Sequence, residues 1–202
     1  MEFLQQLEIS EATFVMASNS KTYIFGGDQP WSPHDWTASD DRVRGGASHS
    51  YLECDPPSNA ARFHGHLDIH ALGGAGFASQ RTTGDRMWDL TGNDGLELDI
   101  RQSDGKKYTL TLKDTVLPKR PDGREQSTIN WEYDFHATDK GPFVIRWKDF
   151  RATYRGKDKE DAPPLDRSSI KRISIMMRSF FGTQEGDFSL EIASIAAIQT
   201  EN

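Results

Sequence analysis

One cysteine, Cys54, stands in 202 residues. That excludes an internal disulfide framework and any zinc site built from several thiolates. The chain has no Asn-x-Ser/Thr acceptor, and no apolar run near the ~18 residues that a membrane-spanning helix needs. Positive charge is in deficit: 24 Lys and Arg face 31 Asp and Glu, for a formal charge of -7 at pH 7. Neutralising phosphates takes a basic stripe, so this balance argues against a nucleic-acid partner and against docking on anionic lipid. The G-x-S-x-G elbow, the Walker loop and H-E-x-x-H are all missing. The amino end, Met1-Glu-Phe-Leu-Gln-Gln-Leu-Glu, is acidic. It has neither the basic start of a secretory signal nor the Arg-rich character of a transit peptide, so a cytoplasmic location is expected.

Helical periodicity is scarce too. Phe3, Leu4 and Leu7 suit one short amino-terminal helix, and Leu165–Ile170 suits a single turn. What fills the chain instead is alternation with period two. Trp131, Tyr133 and Phe135 share one strand face while Glu132, Asp134 and His136 share the other. The same pattern recurs in Leu96/Leu98/Ile100, Tyr108/Leu110/Leu112, Phe143/Ile145/Trp147, Ile173/Ile175/Met177 and Phe188/Leu190/Ile192. Turn chemistry separates these runs, as in Ser103-Asp104-Gly105, Pro121-Asp122-Gly123 and Gln184-Glu185-Gly186. Roughly ten short strands so spaced predict an all-β antiparallel sandwich or barrel. The polar stretch Lys157–Pro164 reads as a surface loop, and residues 1–202 as one domain.

Several constellations are chemically suggestive. In Arg62-Phe-His64-Gly-His66-Leu-Asp68-Ile-His70, one strand would carry His64, His66, Asp68 and His70 on a single face. Imidazoles two apart on a strand can share a metal ion, so His64 and His66 are the metal candidates, set against a solvated polar face. Glu97 and Asp99 lie on one strand face at a Cα spacing of roughly 6.5 Å, a separation that paired catalytic carboxylates use. Gly73-Gly-Ala-Gly76 precedes a strand-like stretch rather than a helix, so it predicts a hairpin or bulge rather than a phosphate cradle. Cys54 has no neighbouring base and reads as a small apolar residue.

The segment Trp36-Thr-Ala-Ser-Asp40-Asp41-Arg42-Val43-Arg44-Gly45-Gly46-Ala47-Ser48 sets two acids, two arginines and a glycine pair beside a tryptophan. Gly45-Gly46 permits positive φ. The acids and arginines can make a hydrogen-bonded network that either pins a corner of the sandwich or presents a binding loop. Asp40-Asp-Arg-Val-Arg-Gly-Gly-Ala-Ser48 resembles the N-D-x-V-M-G-G-x-S signature of the complex I intermediate-associated protein 30 family. Arg44 stands where that pattern has Met, and Asp40 where it has Asn. Phe63-x-Gly65-x-Leu67, Gly76-Phe-Ala-Ser-x-Arg81, Asp104-Gly-Lys-x-Tyr108, Phe150-x-Ala-Thr-Tyr-Arg-Gly156 and Gly186-Asp-Phe-x-Leu-Glu-Ile192 continue the resemblance in order. It spans about residues 15–198 and leaves a short segment, 1–14, before it. The resemblance implies a galactose-binding-like jelly roll, and a chaperone-like role such as that of the mitochondrial members that hold complex I assembly intermediates.

The leading expectation is therefore a non-enzymatic binding module for a protein partner, with no cofactor. Its candidate binding residues are Trp36, Asp40, Asp41, Arg42, Arg44, Gly45, Gly46, Arg81, Arg146 and Arg155, since aromatic and Arg anchors dominate such interfaces. A second reading is an isomerase or cyclase acting on a small apolar molecule in a pocket between the sheets. His64, His66, His136, Asp41 and Glu97 would be its acid–base groups. A third is glycan binding, with Trp31 and Trp88 as the stacking rings.

Overall fold

The alternating runs become strands because each can bury one face at a full apolar side chain every second residue. In the computed structural model, which describes residues 20–138 and 141–200, Leu96, Leu98, Ile100, Leu110, Leu112, Ile173, Ile175, Leu190 and Ile192 are essentially inaccessible to solvent. Burying each of these stabilises the fold by about 1.5–3 kcal/mol. The strands are β1 (Ser20–Phe25), β2 (Trp36–Ala38), β3 (His49–Asp55), β4 (Ala60–Leu67), β5 (Phe77–Thr82), β6 (Gly95–Ser103) and β7 (Lys107–Lys113). They continue with β8 (Asn130–His136), β9 (Gly141–Arg146), β10 (Arg151–Tyr154), β11 (Lys157–Asp158), β12 (Arg172–Arg178) and β13 (Gly186–Gln199).

Two sheets face each other across this core. The first has the order β3-β4-β13-β6-β9, with β1 also on β13; the second runs β11-β10-β8-β7-β12-β5-β2. Every pairing is antiparallel, as a jelly-roll sandwich requires. β13 shifts register against β6 around Ile192. Its first half pairs with β4 and its second half with β1, so one long strand serves two neighbours on the same edge. One end of the core is aromatic: Phe25 stacks on Trp31 at 5.2 Å and meets Trp36 at 4.9 Å. In the middle, the buried Tyr108 donates its hydroxyl proton to Asp104 at 2.9 Å, and burial pushes its pKa well above the usual phenol value.

Among the described residues the helical pieces are short 3-10 turns at Pro33–Asp35, Asp41–Arg44, Trp147–Asp149 and Arg167–Ser169. No helix among them is long and apolar enough to cross a membrane. The turn expected at Leu165–Ile170 is present, its first N–H groups met by Asp166, which accepts from Ser168 N at 3.0 Å. The amino-terminal helix expected from Phe3, Leu4 and Leu7 lies outside the described residues. Two local expectations need correction. β4 stops at Leu67, so Asp68 and His70 do not continue the His64/His66 face. The Asp68 carboxylate accepts from Ala71 N at 2.9 Å and turns the chain there. Within Lys157–Pro164, the first two residues form the edge strand β11 instead of loop.

Candidate functional site

The Asp40–Ser48 segment folds around its two carboxylates. Asp40 and Asp41 are buried. Asp40 accepts from Ser50 N at 3.2 Å, Ser50 Oγ at 2.6 Å and Ser79 N at 2.9 Å. Asp41 accepts from Ser48 N at 3.1 Å, Ser48 Oγ at 2.7 Å and Phe77 N at 3.0 Å. Asp40 therefore ties the loop to β3 in one sheet and β5 in the other, and Asp41 ties its far end, just before β3, to β5. Gly45 supplies the left-handed turn at φ 86°, and a β-carbon on Gly46 would overlap the Asp41 carboxylate. Trp36 is packed inside with Phe25 and Trp31. Arg42 reaches Asp40 at 3.3 Å with most of its side chain in solvent, and Arg44 lies over the Phe77 ring at 5.6 Å.

The acid–base candidates do not assemble. His64 and His66 sit on the outer face of the first sheet, where His66 Nδ1 lies 2.7 Å from Asp187 and His64 Nε2 lies 3.3 Å from Glu53. Glu97, on β6 of that sheet, takes Lys21 at 2.6 Å. His136 is exposed at the end of β8 in the second sheet, and Asp41 is held in its loop. None of the five lines the cleft described below. Among the described residues no three His, Cys, Asp or Glu side chains converge as metal ligands. Burial, with Asp35 nearby, pushes the Cys54 thiol up to about 11, which keeps it protonated and unreactive at neutral pH. The two tryptophans considered for sugar stacking are turned inward: Trp31 is buried, and Trp88 packs on the core.

The outer face of the second sheet carries a cleft of about 730 Å³. Its floor is the polar side of β5, β7, β8, β10 and β12, and it is walled by Glu125–Thr128, Phe180–Phe181 and Arg155–Asp158. This face points away from the core, yet Thr111, Glu132, Thr153, Arg172 and Ser174 on it are each less than a tenth exposed. Seven lining side chains are Arg or Lys against four Asp or Glu, a cationic concentration in a chain of charge -7. Arg178 on β12 reaches β8 with both arms of its fork, Nη1 donating to Glu132 at 2.9 Å and Nη2 to Asp134 at 2.6 Å. Thr153 donates to Glu132 at 2.9 Å, Thr109 to Asp134 at 2.7 Å, and Arg151 pairs with Asp134 and Asp158. Burial acts to raise the Asp134 pKa, but the Thr109 hydroxyl, Arg178 and Arg151 outweigh it and hold the carboxyl below its usual range.

Further along the floor, Arg81 and Arg172 meet the single carboxylate of Glu125 at 2.9 and 2.7 Å. Burial, then repulsion from Arg172, lowers the Lys113 pKa below the ordinary lysine value. Four buried polar atoms in the cleft have no hydrogen-bond partner: Arg81 Nε, Thr111 Oγ1, Asn130 Oδ1 and Arg178 Nε. Buried polar groups are nearly always paired, and these four border the open cleft, where a polar ligand or solvent can reach them; Trp36 Nε1, His64 Nε2 and Trp131 Nε1 lack a hydrogen-bond partner elsewhere. Of the residues expected to bind, Arg44, Arg81 and Arg155 line the cleft. Trp36, Asp40, Asp41, Gly45 and Gly46 build the loop beside it. Arg42 stands outside, and Arg146 is exposed on β9 of the other sheet. Sequence reasoning passed over Lys113, Glu125, Glu132, Arg172 and Arg178. For Lys113, Glu132, Arg172 and Arg178 the one signal was a cation or acid on the polar side of successive strands; Glu125, in the connection between β7 and β8, gave none.

Comparison with known proteins adds three findings. A family model described as complex I intermediate-associated protein 30 matches residues 10–192. An uncharacterized protein of Schizosaccharomyces pombe is 44% identical over 182 residues, covering 87% of this chain and 83% of its own. Among solved structures, the family 11 carbohydrate-binding module of a cellulosomal cellulase from Clostridium thermocellum is similar with a TM-score of 0.57 at 13% identity, covering 91% of this chain and 97% of the module. A family 11 module from the same organism, solved with a β-1,3-1,4-mixed-linked tetrasaccharide, has a TM-score of 0.51 at 14% identity, over 83% of this chain and 91% of the module. At such identities the likeness is one of fold, and it agrees with the two-sheet architecture.

Proposed function

Because the chain belongs to the complex I intermediate-associated protein 30 family, we propose that it is a non-catalytic binding module which holds an extended segment of a partner protein in the cleft on the outer face of its second sheet. The observation that carries this reading is the set of buried, unpartnered polar atoms on the cleft floor. They lie on rigid strands, as a preformed recognition surface requires, and none of the acid–base candidates lines the cleft. The family's name describes association with a complex I intermediate, a role that needs binding and release rather than bond-making. Glycan binding is the weaker reading, because of the cleft's three aromatic residues Phe180 and Phe181 stand at its wall, Phe77 lies under the Arg44 guanidinium, and the floor is charged.

Co-purification tests the proposal. The tagged protein should recover a partner from its source cells in near-stoichiometric amount. Ser174→Trp, which fills the cleft from β12, should release that partner, while Tyr51→Ala on the other sheet should retain it. A partner kept by a folded Ser174→Trp protein would overturn the assignment.

A further inference from the structure

The cleft contains a place where cations outnumber the carboxylate available to them. Arg172 on β12 pairs across the sheet with Lys113 on β7, and Arg81 on β5 stands opposite Ser174, the next outward position of β12. Each oxygen of the Glu125 carboxylate receives one guanidinium, Oε1 from Arg81 and Oε2 from Arg172. Lys113 makes no ion pair among the described residues; its ammonium donates to Thr128 Oγ1 at 3.0 Å. Three cations converging on a part-buried floor repel one another and lose hydration, a cost that Glu125, with a smaller effect of Glu132 on Lys113, offsets only in part. Arg81 Nε is in addition buried without an acceptor.

Glu125 does not belong to the sheet. It is carried by the connection between β7 and β8, on a stretch outside any helix or strand, and no backbone hydrogen bond to the rest of the fold involves Glu125–Ile129 among the described residues. What holds the stretch down is side chains, chiefly Glu125 on the two arginines and Thr128 on Lys113. The protein thus holds a peptide-borne carboxylate in a receptor made by three neighbouring strands, on a tether that few other bonds secure.

We propose that Arg81, Arg172 and Lys113 form a receptor for a side-chain carboxylate of an acidic peptide, and that Glu125 fills it in the free protein as an intramolecular competitor. This rests on the cleft being the recognition surface, and it names the ligand chemistry. The planar guanidinium forks suit a carboxylate bound by both oxygens. The occupant is a peptide because the group already seated there reaches the arginines from a polypeptide backbone. Elsewhere the chain's net negative charge repels such a ligand, so binding depends on this local site.

Fluorescein-labelled octaglutamate, titrated by anisotropy into the full chain at low ionic strength, is the probe. Glu125→Gln should bind at least about tenfold more tightly than the wild type, the equivalent of one charged hydrogen bond released from competition. Lys113→Met or Arg172→Gln placed in the Glu125→Gln background should remove the gain. Labelled octaglutamine should not bind. Since loss of folding cannot tighten binding, the gain on Glu125→Gln is the deciding result. No gain, equal binding of octaglutamine, or stronger competition by polygalacturonate than by unlabelled octaglutamate would each overturn the proposal. If Ser174→Trp still releases the partner protein while Glu125→Gln changes nothing, the cleft stands as the recognition surface and the carboxylate receptor falls.

Discussion

Glu132 and Arg178 lie 46 positions apart and meet at 2.9 Å on the outer face of the second sheet, with the Glu132 side chain almost wholly buried. A buried carboxylate stripped of its cation is far costlier than the pair is favourable. Arg178→Gln should therefore destabilise the protein by about 3 kcal/mol, and adding Glu132→Gln should recover part of that loss. Urea denaturation of both single variants and the double variant checks the coupling. Additive losses would show that the two side chains are independent.

Asp41 is the second structural hinge of the account. Asp41→Ala leaves Ser48 N and Phe77 N without an acceptor and Ser48 Oγ with only the Asp68 carbonyl at 3.3 Å, at a cost of about 3 kcal/mol. Gly46→Ala should be comparably harmful, because its methyl group would overlap that carboxylate. Denaturation midpoints at pH 7 measure both.

Asp134 gives a pH dependence. Its folded pKa is depressed, because Thr109, Arg178 and Arg151 together outweigh burial. The stability it brings is complete above the unfolded carboxylate value of about 3.9 and is lost as pH falls below that toward the folded value. Asp134→Asn should consequently flatten the acid limb of the stability curve below about pH 4 relative to the wild type. Unfolding free energies between pH 2.5 and 7, roughly the interval that brackets this value, are the measurement.

Phe180 and Phe181 occupy left-handed backbone at φ 44° and 61°. Phe180 is packed beneath Lys107 and Arg178 at 4.4 and 4.7 Å, whereas Phe181 is fully exposed at the cleft wall. Left-handed geometry costs a non-glycine residue about 1–2 kcal/mol, and glycine gives back part of this through unfolded-state entropy. Phe181→Gly should raise stability by about 0.5–1 kcal/mol while weakening retention of the partner protein. Thermal melting and co-purification read the two effects separately.

Much of the architecture was legible in the sequence. Runs such as Leu96/Leu98/Ile100 and Ile173/Ile175/Met177 alternate because each strand turns one side to the apolar core and a polar side away from it, and the all-β antiparallel sandwich follows. A hydrogen-bonded corner at Asp40–Ser48 was also legible, since two acids beside a glycine pair allow a tight loop whose carboxylates can meet nearby N–H and hydroxyl donors. The cleft was not legible in the same way. Arg178 finds Glu132 and Asp134, and Arg81 and Arg172 find Glu125, only because β12 lies between β7 and β5. That neighbour relation is set by topology and not by local pattern. Read strand by strand, Glu132 and Asp134 look like an ordinary solvated face. His64 and His66, conspicuous by their spacing, lie on the opposite sheet from that cleft.

The most direct test of the cleft as the recognition surface is site-specific photo-crosslinking in the source cells, with benzoylphenylalanine at Gln126 in the cleft wall or at Tyr51 on the outer face of β3. A discrete protein adduct from Gln126, missing from Tyr51 and diminished by Ser174→Trp, is the predicted result. An adduct that forms from Tyr51 and not from Gln126 would contradict the account.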